Sequence, residues 1–405
     1  MGLNTFLRYG CIGLGGLAVT ALPVELPAAE WSGYVAAEGR WFPSEGAFPG
    51  QKNGGVSLSA QPEFRHQWRD ASRGFTFVPF GRVDSQDERR THADIRELIF
   101  LAVEGDWELR AGIGKVFWGV TESQHLVNIV NQIDYIEDFF GEEALGQPML
   151  RLTRVVDTGS LDFFVLPYFR ERTYPGEAGR FRTPLVVDTD RPLYESGDEE
   201  RHIDWTLRWS QYVGNLDYGV YWFDGTGRDP QLLPGRKNGE PVLLPYYPLI
   251  RQAGLDAQYT GEAWLWKLEA IYRDHRDPRW SDFGAAVGGF EYTFVGIRDS
   301  AADLGVLLEY HWDSRGIEAD RVFQNDLFAG LRYTPNDVAS SELLAGVFWD
   351  LDYRNASVRL EASRRVGANV KVNLEAQWFG STSAEDPLSF FRDDDYVQIE
   401  IARYF

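Results

Sequence analysis

The chain has 405 residues, 44% hydrophobic and 25% charged, with a mean hydropathy of −0.33 and 40 Lys+Arg against 61 Asp+Glu. That hydropathy excludes a bundle of membrane helices, and a net charge of −21 argues against non-specific nucleic-acid binding. With 26 Phe, 19 Tyr, 14 Trp and 41 Gly, disorder is excluded and an all-β chain rich in turns is expected.

Residues 1–29 have the layout of a secretory signal peptide: Arg8, an apolar run from Tyr9 to Leu22, and small residues at Ala28-Ala29 before Glu30. The run is too short to span a bilayer comfortably, which takes about 20 apolar residues. The single cysteine, Cys11, lies inside it, so the mature chain is expected to have no disulfide and no thiolate metal site. The expected location is beyond the inner membrane of a Gram-negative cell.

From residue 30 onward, period-two alternation recurs. Strands are expected near 31–42, 55–68, 74–84, 94–104, 107–117, 149–157, 160–171, 201–212 and 215–224. Nine more follow near 248–260, 263–274, 283–295, 303–313, 325–334, 341–350, 355–365, 369–379 and 396–405. In 370–378, Val370, Val372, Leu374, Ala376 and Trp378 share one face, and Lys371, Asn373, Glu375 and Gln377 the other. Segments of nine or more residues match the roughly 9–11 needed for a tilted strand to cross a bilayer. Trp107, Trp264, Trp312 and Trp378 stand near strand ends on the apolar face, as an interfacial girdle requires.

The expectation is one domain over 30–405: a transmembrane antiparallel up-and-down β-barrel of about 18 strands. Sixteen is the alternative count, because residues 351–354 are short where a long loop is expected. Short connectors such as Gly105, Val213-Gly214 and Gly367-Ala368 alternate with longer ones.

A barrel of this size encloses an aqueous channel with a polar inner face. Arg65, Arg82, Arg110, Arg208, Arg273 and Arg359 fall on that face, among them Glu63, Glu108, Asp204, Glu269, Glu309 and Glu361. Such charges line any wet wall and pair across strands; the sharper reading is a selectivity ladder. The connector 119–148 carries Glu122, Asp134, Glu137, Asp138, Glu142 and Glu143 and no Lys or Arg up to Pro148. Its position after the fifth strand suits a loop folded inward to narrow the pore, against the alternative of a loop at the rim. Ile129, Ile133, Ile136 and Phe140 fall at helical spacing, which predicts one short helix there.

The chain ends Tyr396-Val397-Gln398-Ile399-Glu400-Ile401-Ala402-Arg403-Tyr404-Phe405. This resembles the C-terminal signature of bacterial outer-membrane proteins, which implies that Phe405 is read by the barrel-assembly machinery; Arg403 departs from the usual outward hydrophobic residue. Arg110-Ala111-Gly112, Phe117-Trp118-Gly119 and the stretch Asn128 to Asp134 resemble a segment of larger substrate-type porins. The resemblance is to a porin-like superfamily style over the whole mature chain.

Together these readings predict a porin-like outer-membrane channel for passive passage of small hydrophilic solutes, with no cofactor and no metal. Its partners would be lipid, lipopolysaccharide and the assembly machinery. Oligomeric state is not legible, although trimers are common among general porins. An enzyme is not expected: none of the six histidines sits in an H-E-x-x-H run, and no G-x-S-x-G is present. The alternatives are a barrel specific for a hydrophobic compound or an exported polymer, and a structural sheath for a periplasmic partner.

Overall fold

The computed structural model describes residues 29–319, 322–380, 383 and 385–405; the expected leader, apart from Ala29, lies outside the described residues. Its strands, in chain order, are β1 (Ala29–Trp41), β2 (Gly54–Trp68), β3 (Arg73–Asp84), β4 (His92–Glu104), β5 (Trp107–Gly114), β6 (Gln147–Val156) and β7 (Gly159–Leu166). Then come β8 (Leu193–Tyr194), β9 (Asp204–Val213), β10 (Leu216–Thr226), β11 (Gln231–Lys237), β12 (Glu240–Tyr247), β13 (Leu249–Thr260) and β14 (Trp264–His275). The chain finishes with β15 (Phe283–Phe294), β16 (Asp303–Asp313), β17 (Asn325–Thr334), β18 (Glu342–Asp350), β19 (Ala356–Val366), β20 (Val370–Phe379) and β21 (Tyr396–Tyr404).

Among the described residues, β8, β11 and β12 form a small separate sheet, and the other strands make one antiparallel sheet of 18. That sheet closes where β1 pairs with β21, Tyr34 opposite Tyr404 and Trp41 opposite Val397. Closure leaves the barrel wall without an unpaired edge. Each of the eighteen expected strands has its counterpart, so the count is eighteen and not sixteen. Among the described residues no helix is long and apolar enough to cross a membrane.

Alternation decides which way each side chain faces. On β14, Trp264, Trp266, Leu268 and Tyr272 are exposed on the outside, while Lys267, Glu269 and Arg273 are buried inside. Exposed tryptophans form two belts: Trp31, Trp107 and Trp264 near one rim, and Trp41, Trp312, Trp349 and Trp378 near the other. The first rim carries the short connections, such as 105–106, 214–215 and 367–369. Gly214 and Gly367 turn there at φ 60° and 68°, a left-handed geometry that costs glycine little. The long connections 42–53, 115–146, 167–203, 227–248 and 380–395 all leave the opposite rim.

Three local expectations fail. Strand β7 stops at Leu166 instead of running to 171, because Pro167 follows and has no N–H for the ladder. The connector expected over 225–247 holds the β11–β12 hairpin, with Gln231 opposite Tyr246. The inner face is also less polar than alternation implies. Phe164, Leu166, Tyr221, Phe223, Ile250, Ile271, Phe283 and Val287 are buried within one cluster that includes Leu126, Val127, Ile129 and Val130 of the connector 115–146.

Candidate functional site

Residues 115–146 leave β5 and bridge opposite walls of the barrel. On one side, Asp134 pairs with Arg96 of β4 at 2.7 Å, and Glu137 with Arg82 of β3 at 2.9 Å and His92 of β4 at 2.8 Å. On the other, Glu122 and Ser123 donate their backbone N–H groups to Glu309 of β16 at 2.8 and 2.9 Å. Strand β4 is fourth and β16 thirteenth round a ring of eighteen, nine strands apart, so these contacts lie diametrically across the interior.

The helix expected here does not form. Two asparagines instead tie the segment to backbone on either side of it. Trp118 and Gly119 donate N–H to Asn128 Oδ1 at 2.8 and 3.2 Å, and Val116 donates to Asn131 Oδ1 at 2.8 Å. Asn131 Nδ2 in turn donates to the carbonyls of Gly114 and Leu145, both at 2.8 Å. Ile129 and Ile136 are buried nonetheless, so the apolar spacing reports contact with the wall, not helical pitch.

The six arginines divide by depth. Arg65 and Arg110 are exposed near the short-turn rim, paired with Glu63 and, at 2.6 Å, with Glu108. The other four are buried or nearly so. Arg82 bridges Glu38 at 2.9 Å and Glu137 of the connector. Arg208 makes a bidentate pair with Asp256 at 2.6 and 2.8 Å, and its guanidinium lies 4.7 Å from the centre of the Trp118 ring. Arg359 pairs with Glu361 at 2.6 Å and stacks 4.4 Å from Phe140. Arg273 reaches Gln252 at 2.7 Å and Asp229 of the connector 227–248 at 2.9 Å. Three of the four therefore touch 115–146, one by an ion pair and two through aromatic faces.

The acids of the connector are largely spent on partners. Glu122 meets Arg332 at 2.7 Å and Lys267 at 3.6 Å; Glu143 pairs with Lys115 and lies 3.8 Å from Arg96. Asp138 accepts the N–H groups of Phe140 and Glu142, at 2.7 and 3.3 Å, and so shapes a turn. Buried charge persists only when paired in this way. Between the six wall arginines and the six connector acids, Arg82 with Glu137 is the one ion pair among the described residues.

The residues that grip the connector were not singled out as such. Glu269 is fully buried and accepts N–H bonds from Val120, Thr121 and Val127 at 2.7, 3.0 and 3.2 Å. Glu309 also accepts the Ser123 hydroxyl at 2.5 Å, and that hydroxyl lies 2.8 Å from His311 Nε2. The serine proton is thus committed to a carboxylate, and the Ser–His contact is an anchor between connector and wall.

His125 of the connector is buried, 3.6 Å from Glu142 and 3.7 Å from Glu269, separations of charge contact and not of hydrogen bonding. Burial works against the charged ring, but the neighbouring carboxylates, Glu142 above all, outweigh it and push its pKa up to about 9. A histidine raised on folding stabilises the folded state fully below its unfolded pKa of roughly 6.5, and loses that contribution as pH rises through the folded value. The thermal midpoint of the barrel in detergent should therefore fall between about pH 6.5 and 9. His125→Gln should flatten that part of the profile; an unchanged slope in the variant would assign it to another group.

No family model and no curated protein matches this chain. Solved structures similar to it include two variants of the Rhodopseudomonas blastica porin, with TM-scores of 0.46 and identities of 11% and 12%, each over 93% of this chain and 100% of that chain. Another is in-vitro folded OmpT of Vibrio cholerae in its trimer form, with a TM-score of 0.48 and 10% identity over 93% of this chain and 99% of that one.

Proposed function

We propose that this chain is an outer-membrane diffusion channel for small hydrophilic solutes, narrowed where residues 115–146 cross the lumen. The carrying observation is the bridge from Arg82 and Arg96 on one wall to Glu309 on the opposite wall. An apolar outer face with tryptophan belts suits lipid, and buried, paired charge on the inner face suits a wet lumen. Because the connector's acids are mostly neutralised by their partners, selectivity follows from the unpaired remainder and the pore width, more than from a strong transverse field. The test is single-channel conductance of the refolded mature barrel in a planar bilayer under a salt gradient. Current steps of reproducible size are expected, and their reversal potential reads the sign of the narrowest point. A silent bilayer from verified folded barrel would sink this reading.

A second reading, a ligand-gated barrel, draws on the long-loop rim. Arg180 is buried against Asp394 at 2.5 Å and lies 4.3 Å from the Phe42 ring. Beside it Phe181 holds φ 60°, an unusual value for an aromatic residue, and packs 5.2 Å from Phe139 of the crossing connector. This clamp ties the loops 42–53, 167–203 and 380–395 over the mouth. Under this reading, conductance appears only when Asp394→Asn loosens the clamp.

A further inference from the structure

On the outer, apolar face, Arg73, Arg154 and Arg251 each bring a carboxylate with them: Glu104 at 3.5 Å, Asp106 at 3.0 Å and Asp224 at 3.3 Å. Two other outward arginines stand together near the short-turn rim with far less. Arg403 of β21 shares its face with Val397, Ile399 and Ile401, is exposed, and among the described residues has no ion pair. Arg364 of β19 shares its face with Leu360, Ala362 and Val366, and its side chain is 64% exposed. Its one carboxylate, Asp337 of the turn 335–341, lies 3.7 Å away, a charge contact and not a hydrogen bond. Asp337 itself is turned to Ser341, accepting its N–H at 2.9 Å and its hydroxyl at 2.8 Å.

The two arginines are neighbours across β20. Arg364 stands in one row with Val372 and Ile401, and Arg403 in the next row with Val370 and Val366. Two strands and two residues separate them, about 12 Å between Cα atoms. Two extended arginine side chains can close that span. Beside them Ile401 and Val35 are exposed, and Val35 is the register partner of Arg403 across the seam of β1 with β21.

A cation on a lipid-facing wall is tolerated where its head reaches the headgroup layer, and two side by side repel until an anion lies between them. Arg364, Arg403 and Asp337 sum to a formal +1, which complements one negative charge. A phosphodiester carries one, and its oxygens suit guanidinium forks from two sides.

Resting on the outer-membrane reading above, we infer that Arg364 and Arg403 form a site for the phosphodiester of an anionic phospholipid in the leaflet at the short-turn rim. Its acyl chains lie over Val35, Val372 and Ile401, so the bound lipid braces the wall where β1 closes on β21.

From Glu30 on the sequence has no cysteine, so Val366→Cys takes a single bimane label beside both arginines. The labelled barrel is refolded into phosphatidylcholine vesicles holding a small fraction of brominated lipid. At low salt, brominated phosphatidylglycerol should quench the label as though enriched roughly thirtyfold over its bulk share, about fivefold per arginine. Brominated phosphatidylcholine should show no enrichment. Arg364→Gln with Arg403→Gln should bring phosphatidylglycerol down to the same level, and each change alone should lose about fivefold. A label at Leu216→Cys, on the distant β10 near the same rim, should report no enrichment with the arginines in place. Equal quenching by the two lipids at Val366→Cys, or enrichment that survives the double variant, overturns the site and leaves the barrel in its membrane. Enrichment abolished by millimolar inorganic phosphate at constant ionic strength assigns the arginines to free phosphate, and overturns the lipid. Quenching lost as the protein-to-lipid ratio rises assigns the face to a second copy, and does the same. If brominated lipid quenches neither label, the wall does not meet lipid, and the outer-membrane reading falls first.

Discussion

Replacing Glu269 and Glu309 together by alanine should free residues 115–146 from the far wall and raise single-channel conductance several-fold. Both carboxylates are buried, at 0% and 2% exposure, and between them they accept five backbone N–H groups over Val120–Val127. Hydrogen bonds to a charged acceptor contribute about 1.5–3 kcal/mol each, and donors left buried without a partner cost about 1–3 kcal/mol. Even at the low end, losing five such bonds removes about 7 kcal/mol of the attachment that holds the 32-residue connector to that wall. Each single Gln variant keeps an acceptor and should give an intermediate current with more open-state noise. Limited proteolysis supplies the companion readout, since the released segment becomes cleavable. An unchanged current from a folded double variant would mean that the connector does not limit flow.

Leu268→Arg should prevent stable insertion, while the adjacent Lys267→Gln should allow it. Leu268 is exposed on the outer face of β14, near the middle of the strand, between inward Lys267 and Glu269. An arginine at the lipid-facing midplane of a barrel costs about 2–4 kcal/mol, and less toward the interfaces. Lys267 faces the other way, where its partner Glu122 keeps Arg332. The measurement is the fraction of heat-modifiable, folded protein after refolding into vesicles. Equal insertion of Leu268→Arg and wild type would show that this face does not meet lipid.

The barrel itself was legible because a wall with an apolar outer face and a polar inner face writes period two into every strand. The strands β14 and β20 announce their faces residue by residue, and the eighteen-strand count follows from turns at Gly105, Gly214 and Gly367. The site was less legible. Glu269 and Glu309 could be placed on the inner face, but their backbone partners on the connector are about 140 and 190 residues distant, and no spacing rule reports such a pairing. Helical spacing at Ile129, Ile133 and Ile136 misled because buried positions in an irregular segment follow its contacts with the wall. One clue was present. Inward Tyr221, Phe223, Ile250, Ile271 and Val287 break the polar rule, and together they mark where the connector lies.

The seam between β1 and β21 has a kinetic consequence. Trp41 and Val397 are register partners although 356 residues separate them, so the ring cannot close until the last strand has been made and delivered. Until then β1 and whichever strand is last in place each expose an unpaired backbone row, the feature by which sheets recruit one another. Contacts of such range form slowly, since the whole intervening chain must be ordered first. A sheet built this way keeps open edges until its last strand is in place, and losing one strand would leave two sticky edges where the closed ring of eighteen has none.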